Sequence, residues 1–265
     1  MKQILSLISF FFVGFFVSAC GGSSESADSG KGETPVNEVD VNIANFPDPI
    51  FRQYVANNFD LDKNQKLSKN EIQQAISINV PNMGISTIKG IEYLTAVTKL
   101  DCSENVIEEL DISKNTVLKD LNCSWNRLTS LDVTKNTQLE VLYCVGTGTC
   151  ITSNIWKIYT LDVSNNIRLK ELNCCNCGLT SLDVSKNIAL TTINCSSNNI
   201  NNVDELVAHL PSVGSGKLYI YDQVNPCEGN IPTMAQSNAA ISKGWQMMGH
   251  YIAENDWEIF KGTGW

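Results

Sequence analysis

The sequence predicts an α/β solenoid: a short right-handed coil built on a parallel sheet, with a small helical N-terminal cap and a mixed α+β C-terminal cap. Three observations carry this. One is the series Leu100-Asp-Cys102, Leu121-Asn-Cys123, Leu142-Tyr-Cys144, Leu172-Asn-Cys174 and Ile193-Asn-Cys195, spaced 21, 21, 30 and 21 residues apart. Another is an interleaved series, Leu110-Asp-Ile-Ser-Lys-Asn115, Leu131-Asp-Val-Thr-Lys-Asn136, Leu161-Asp-Val-Ser-Asn-Asn166 and Leu182-Asp-Val-Ser-Lys-Asn187, at 21, 30 and 21. The third is that both series skip together, so one nine-residue insertion between Cys144 and Leu161 explains both long intervals. A fixed period means one structural unit per turn, and stacked turns bury a continuous core that no single turn could bury.

The first 19 residues read as a secretory signal. Lys2 precedes an apolar run from Ile4 to Phe16, which closes on Val17-Ser18-Ala19-Cys20. That ending resembles the lipobox of bacterial lipoproteins, which implies cleavage before Cys20, lipidation of its sulfur and attachment to a membrane. The run is shorter than the ~18 apolar residues of a spanning helix. Residues 20–39 are dominated by Gly, Ser and charged residues, with no large apolar side chain before Val36, so they are expected to form a flexible tether. The net charge of −9 becomes −10 once Lys2 leaves with the signal. An acidic chain gains nothing from phosphate backbones, so nucleic acid is not an expected partner.

Residues 40–84 form the expected N-terminal cap. Phe51 to Phe59 has the spacing of an amphipathic helix, and a second helix opens near Glu71 and runs through Ile72 and Ile76. Between them, Asp60, Asp62, Asn64, Ser68 and Glu71 stand at positions 1, 3, 5, 9 and 12 of a twelve-residue loop. Lys66 offers its backbone carbonyl at position 7. This loop resembles the EF-hand and dockerin calcium loop, which implies Ca²⁺ held by those six residues with Glu71 as the bidentate ligand. Gln65 stands where that family uses glycine, and a non-glycine residue held at positive φ there costs roughly 1 kcal/mol. With three carboxylates and no visible partner loop, the expectation is a structural site with affinity on the order of 10⁻⁴ to 10⁻³ M. The alternative is a vestigial loop kept as a helical cap.

Residues 85–210 carry the repeats. Alternate strand residues face opposite sides, so the Leu and Cys of each turn point inward while Asp101, Asn122, Tyr143, Asn173 and Asn194 point outward. The pattern resembles leucine-rich repeats, and the Asp-Val-Ser-Lys-Asn form resembles that of Bacteroidetes surface lipoproteins. Five of the ten cysteines occupy the inward column, where a free thiol acts as a small apolar group. A straight column cannot offer a tetrahedral metal site. Among the rest, Cys150 could pair with Cys175 or Cys177 across adjoining turns. Asp111, Asp132, Asp162, Asp183 and Asp204 form a further column, satisfied either by a cation or locally by the neighbouring Ser/Thr and Lys residues.

Residues 211–265 leave the repeat. Lys217–Asp222 reads as one more strand, Thr233–Lys243 as a helix stopped by Gly244, and 246–252 and 257–260 as two closing strands. Trp245, Trp257 and Trp265 read as core or cap.

Catalytic chemistry is not expected. His209 and His250 are the only histidines, neither has a sequence companion, and no phosphate loop, nucleophile elbow or zinc motif occurs. The resemblance implies instead an interaction or adhesion protein of the outer membrane or cell surface, lipid-anchored, with a periplasm-facing orientation as the alternative. Its expected partner is a protein. Polysaccharide is the second possibility and a purely structural envelope role the third. Tyr143 on the sheet, together with Trp156 and Tyr159 in the insertion, would form the contact patch with the outward Asp and Asn residues. Equally, Trp156 could pack over the convex side.

Overall fold

The computed structural model describes residues 38–146, 157–222, 228–251 and 256–259. The expected signal and lipidation site Cys20, along with Cys150, Trp156, Cys227 and Trp265, lie outside them. Among the described residues no helix is long and apolar enough to cross a membrane.

The N-terminal cap comprises β1 (Glu38–Asp40), α1 (Pro49–Asn58), β2 (Lys66–Ser68) and α2 (Lys69–Gln74). β1 and β2 pair antiparallel, with Val39 opposite Leu67. Helix α1 starts where Asp48 caps it: its Oδ1 accepts from Ile50 N at 2.9 Å and Phe51 N at 3.0 Å. The other carboxylate oxygen accepts from the Ser86 amide and hydroxyl, both at 2.9 Å, so one side chain ties the helix start to the coil. Phe51, Val55, Leu67 and Phe46 are fully buried beneath this cap. Each contributes about 1.5–3 kcal/mol of burial.

The coil follows as β3 (Ser77–Asn79), β4 (Lys99–Asp101), β5 (Asp120–Asn122), β6 (Val141–Tyr143), β7 (Glu171–Asn173) and β8 (Thr192–Asn194). Then come α3 (Val203–His209), β9 (Gly216–Asp222), α4 (Met234–Ser242), β10 (Trp245–Tyr251) and β11 (Asp256–Ile259). β3 to β11 form one nine-stranded sheet in sequential order, parallel except for the final β10–β11 pair. The sheet starts at Ser77, ahead of residue 85 where the sequence pattern becomes regular. Ile78 there aligns with Leu100, and no cysteine marks the turn.

Each strand of the coil buries its central residue, Ile78, Leu100, Leu121, Leu142, Leu172 and Ile193, and Leu218 of β9 continues the column opposite Ile193. Behind them run the cysteine column and a second apolar column of Ile112, Val133, Val163 and Val184, all buried.

Two asparagine ladders satisfy the backbone inside the turns. In the first, Asn126 Nδ2 donates to Cys102 O at 2.9 Å and Cys123 O at 3.1 Å, and its Oδ1 accepts from Ile107 N at 3.1 Å. Asn105 and Asn198 repeat this, and Asn230, from the C-terminal cap, closes the column on Cys195 O and Ile220 O. In the second, Asn115, Asn136, Asn166 and Asn187 each donate two bonds to the preceding turn. The insertion does not disturb the register, since Leu142 still lies opposite Leu172.

Trp245 seals the C-terminal end, fully buried, with Nε1 donating to Pro211 O at 2.7 Å. Gly244 before it sits at φ +87°, where an added Cβ would meet the Val213 carbonyl oxygen at 1.8 Å. Only glycine fits that turn.

Candidate cation loop and binding face

The loop joining α1 to α2 is organised by its own acids. Asp60 accepts from Asn64 N at 3.0 Å and Gln65 N at 2.9 Å, and Asp62 accepts from Asn64 N at 3.1 Å. Asn64 Oδ1 in turn accepts from Lys66 N at 2.8 Å. The chain turns through two left-handed residues, Lys63 at φ +57° and Gln65 at φ +64°. Gln65 therefore adopts the conformation that the calcium-loop family reserves for glycine.

Glu71 closes the loop. Its Oε1 accepts from Leu61 N at 2.7 Å, and its Oε2 accepts from the Ser68 amide and hydroxyl, both at 2.8 Å. Ser68 Oγ accepts from Glu71 N, completing a capping box that starts α2. Burial pushes the Glu71 carboxyl up, but these hydrogen bonds, led by Ser68, outweigh it and hold the group below its ordinary value. Oxygens of Asp60, Asp62 and Glu71 lie within 4.8 Å of one another. Three hard carboxylate donors in that space fit a cation such as Ca²⁺, with Asn64, the Lys66 carbonyl and Ser68 as further oxygen donors. The loop is also not alone: β1 pairs with Leu67, at loop position 8, and Glu38 meets Lys66 at 2.8 Å.

The second feature is the sheet's outer face. The pairing aligns one row: Asn79, Asp101, Asn122, Tyr143, Asn173, Asn194 and Tyr219. From Asp101 to Tyr219 every member is partly exposed. Asp101, Asn122, Asn173 and Asn194 each use Oδ1 to accept the amide of the second residue onward, at 3.0–3.2 Å. The neighbouring row runs Lys99, Asp120, Val141, Glu171, Thr192 and Lys217. Tyr143 Oη donates to Glu171 Oε2 at 2.6 Å, which fixes the ring and raises the phenol to about 12.

The structure also places the residues around this face. The column Ser103, Ser124 and Ser196 is buried, because Ser103 and Ser196 turn their hydroxyls back onto Asp101 and Asn194. Asp111, Asp132, Asp162 and Asp183 accept from Ser113, Thr134, Ser164 and Ser185, and these bonds lower their carboxyls. Asp204 is not in that column; it lies in the first turn of α3. Cys175 and Cys177 are free thiols among the described residues, and Cys150 lies outside them.

Cys177 instead stands where other turns place the ladder asparagine, its Sγ 3.0 Å from Cys144 O. Within the insertion segment Lys157 and Ile158 are buried, and Lys157 Nζ donates to Asn176 Oδ1 at 2.8 Å. Burial lowers its ammonium. Tyr159 is exposed, beside Gly178 and outside the sheet row. His209 and His250 lie 3.1 and 3.0 Å from Asp183 and Asp222.

No protein-family model matches the chain. Internalin J of Listeria monocytogenes is 40% identical over 71 residues, which is 27% of this chain and 8% of that protein. The solved functional domain of InlJ from the same organism, described as including a cysteine ladder, aligns over 81% of this chain and 47% of its own length. The identity is 29% and the TM-score 0.53. A second internalin structure, inlF from L. monocytogenes, aligns with TM-score 0.54 at 17% identity, over 81% of this chain and 68% of that one. The chain is a leucine-rich-repeat solenoid.

As in other solenoids, each turn of this leucine-rich-repeat coil contacts mainly its neighbours, so its buried thiols form a file through the core. Burial pushes Cys102 up to about 12 and raises Cys123, Cys174 and Cys195 as well, while Cys144 is raised first by its hydrogen bond with the Cys177 thiol and then by burial. Peptides carrying these five should resist iodoacetamide at pH 8 in the native protein and react at once in guanidinium, as followed by mass spectrometry. Native labelling at the rate of an exposed thiol would show that the column opens to solvent.

Proposed function

We propose that the protein is a cell-envelope interaction or adhesion module that recognises a protein partner on the outer face of its parallel sheet. The observation that carries this is the Tyr143 row, a broad polar face with two tyrosines, of which Tyr143 is held ready by Glu171. A preset aromatic costs little side-chain entropy on binding, which is why such residues serve as anchors. The likeness to internalins supports interaction or adhesion. In this reading Cys20 carries a lipid that holds the module at the outer membrane or cell surface, and Asp60, Asp62, Asn64, Lys66, Ser68 and Glu71 bind one structural Ca²⁺. Trp156 and Tyr159 border the partner from the insertion, beside the row of Asp101, Asn122, Asn173 and Asn194.

The test is capture of partners from envelope and host-matrix extracts by the immobilised chain, in calcium and in chelator. A soluble form has to begin ahead of Glu38, because β1 holds the loop. Tyr143→Ala should weaken a captured protein at least about tenfold, a loss of ~1.4 kcal/mol, with the melting temperature nearly unchanged. Unchanged affinity would remove the sheet face from the interface.

A further inference from the structure

We propose that the C-terminal half of this face holds a site for a short neutral oligosaccharide, seated between Tyr143 and Tyr219 on the side-chain amides of Asn173 and Asn194. This rests on the reading of the sheet face as the binding face and names the chemistry that part of it takes.

The row across β6, β7, β8 and β9 runs Tyr143, Asn173, Asn194, Tyr219. Three strand spacings separate the two tyrosines, about 14 Å. Between them lies a shallow depression of about 170 Å³ lined by these four residues with Glu171, Leu172 and Thr192.

The polar groups there are already sorted. Asn173 Oδ1 is committed to Cys175 N at 3.2 Å, and Asn194 Oδ1 to Ser196 N at 3.2 Å and Ser196 Oγ at 2.8 Å. Each amide is therefore held in one orientation, and its Nδ2 has no acceptor among the described residues. Two neighbouring NH₂ groups, about one strand spacing apart, form a floor of donors. Glu171 and the Thr192 hydroxyl add acceptor capacity beside them.

An apolar ligand would strand those donors, at a desolvation cost. An anion would meet the Glu171 carboxylate and no base in the lining. A neutral polyol satisfies both conditions. Its hydroxyl oxygens accept from the amides, its hydroxyl protons reach the carboxylate, and the C–H face of a sugar ring packs on a tyrosine. The depression is smaller than the several hundred Å³ that enclose a compact ligand, so the sugar lies across the strands with one side in water.

The experiment is saturation-transfer NMR of the full chain with cellotriose, maltotriose and triacetylchitotriose at about 10 mM, enough to populate a site of millimolar Kd. Transfer to at least one is expected. Asn194→Asp keeps the acceptor for Ser196 and removes the donor, so it should weaken that sugar about tenfold at unchanged melting temperature. Tyr219→Ala should weaken it similarly, and Trp125→Ala, an exposed aromatic outside the row, should not. No transfer from any of the three sugars, or transfer unchanged in both site variants, overturns the proposal. Capture of a protein that survives its enzymatic deglycosylation, together with absent transfer, would sink the sugar site and leave the sheet-face reading intact. Loss of both would sink both.

Discussion

Asn198→Ala should cost about 3–5 kcal/mol and lower the melting temperature by roughly 6–20 °C. The side chain accepts from Cys177 N and Leu179 N, each at 3.0 Å, and donates to Cys174 O at 2.9 Å and Cys195 O at 2.8 Å. It is buried, so alanine leaves two backbone N–H groups and the Cys174 carbonyl without this partner, while Cys195 O keeps its bond from Asn230 Nδ2. A buried polar group left unpaired costs about 1–3 kcal/mol, and entry of a water recovers part of the total. The second ladder provides a graded control. Asn187 donates to Val163 O at 2.8 Å and Asn166 O at 2.9 Å and accepts no bond, so Asn187→Ala should cost roughly half as much. Asn122→Ala, on the exposed row, should be nearly silent. Urea titrations followed by circular dichroism rank the three, and equal midpoints would show that the ladders do not hold the turns together.

Calcium should raise the melting temperature of the wild type by roughly 5–10 °C. With Kd near 10⁻⁴ M, a hundredfold excess contributes about 2.7 kcal/mol, and a domain of this size gains about 2–4 °C per kcal/mol. Asp62→Asn is the clean variant. It keeps the oxygen that accepts from Asn64 N, gives up only the exposed bond from Asn64 Nδ2, removes one charge, and should shrink the calcium shift while leaving the metal-free protein nearly unchanged. Glu71→Gln should abolish the shift and also weaken the metal-free cap, because an amide cannot accept from both Leu61 N and the Ser68 pair. Identical melting curves in calcium and EGTA would refute the site.

The metal-free protein adds a pH signature. The Glu71 carboxyl is depressed in the fold, so its stabilisation is complete above its ordinary value of 4.5 and is lost as pH falls through the lower folded value. Acid titration below pH 4.5 should unfold the wild-type cap progressively, and Glu71→Gln should flatten that part of the curve.

The period located the strands well. Leu100, Leu121, Leu142, Leu172 and Ile193 all occupy strand centres, because a 21-residue repeat leaves one register in which every turn buries its leucine. The helix entering the calcium-like loop followed from local apolar spacing, but the exiting one did not: α2 starts at Lys69 under the Ser68–Glu71 capping box and stops at Gln74, leaving Ile76 exposed outside it. What escaped was non-local or masked by substitution. β1 is three residues of Glu-Val-Asp, and only its distant partner Leu67 makes it a strand. Cys177 hid in the asparagine ladder, although Cys174-Cys-Asn-Cys177 aligned with Cys195-Ser-Ser-Asn198 shows it in the asparagine position. Tyr219 could have been placed in the outer row by aligning Leu218-Tyr219 with Ile193-Asn194. Lys157 could not have been placed inside, since its burial depends on the Asn176 carbonyl and amide oxygens of the turn it covers.

The pairing of β1 with β2 also decides how the molecule takes load. Tension that reaches Glu38 from its N-terminal side is borne, among the described residues, by a three-residue strand zipped to Lys66–Ser68. That strand is the edge of the Asp60–Glu71 loop, so a filled loop stiffens the point where pull arrives and an empty one lets it yield first. If the loop takes calcium as proposed, the ion would set how firmly this cap resists pull, independently of the domain's affinity for whatever it holds.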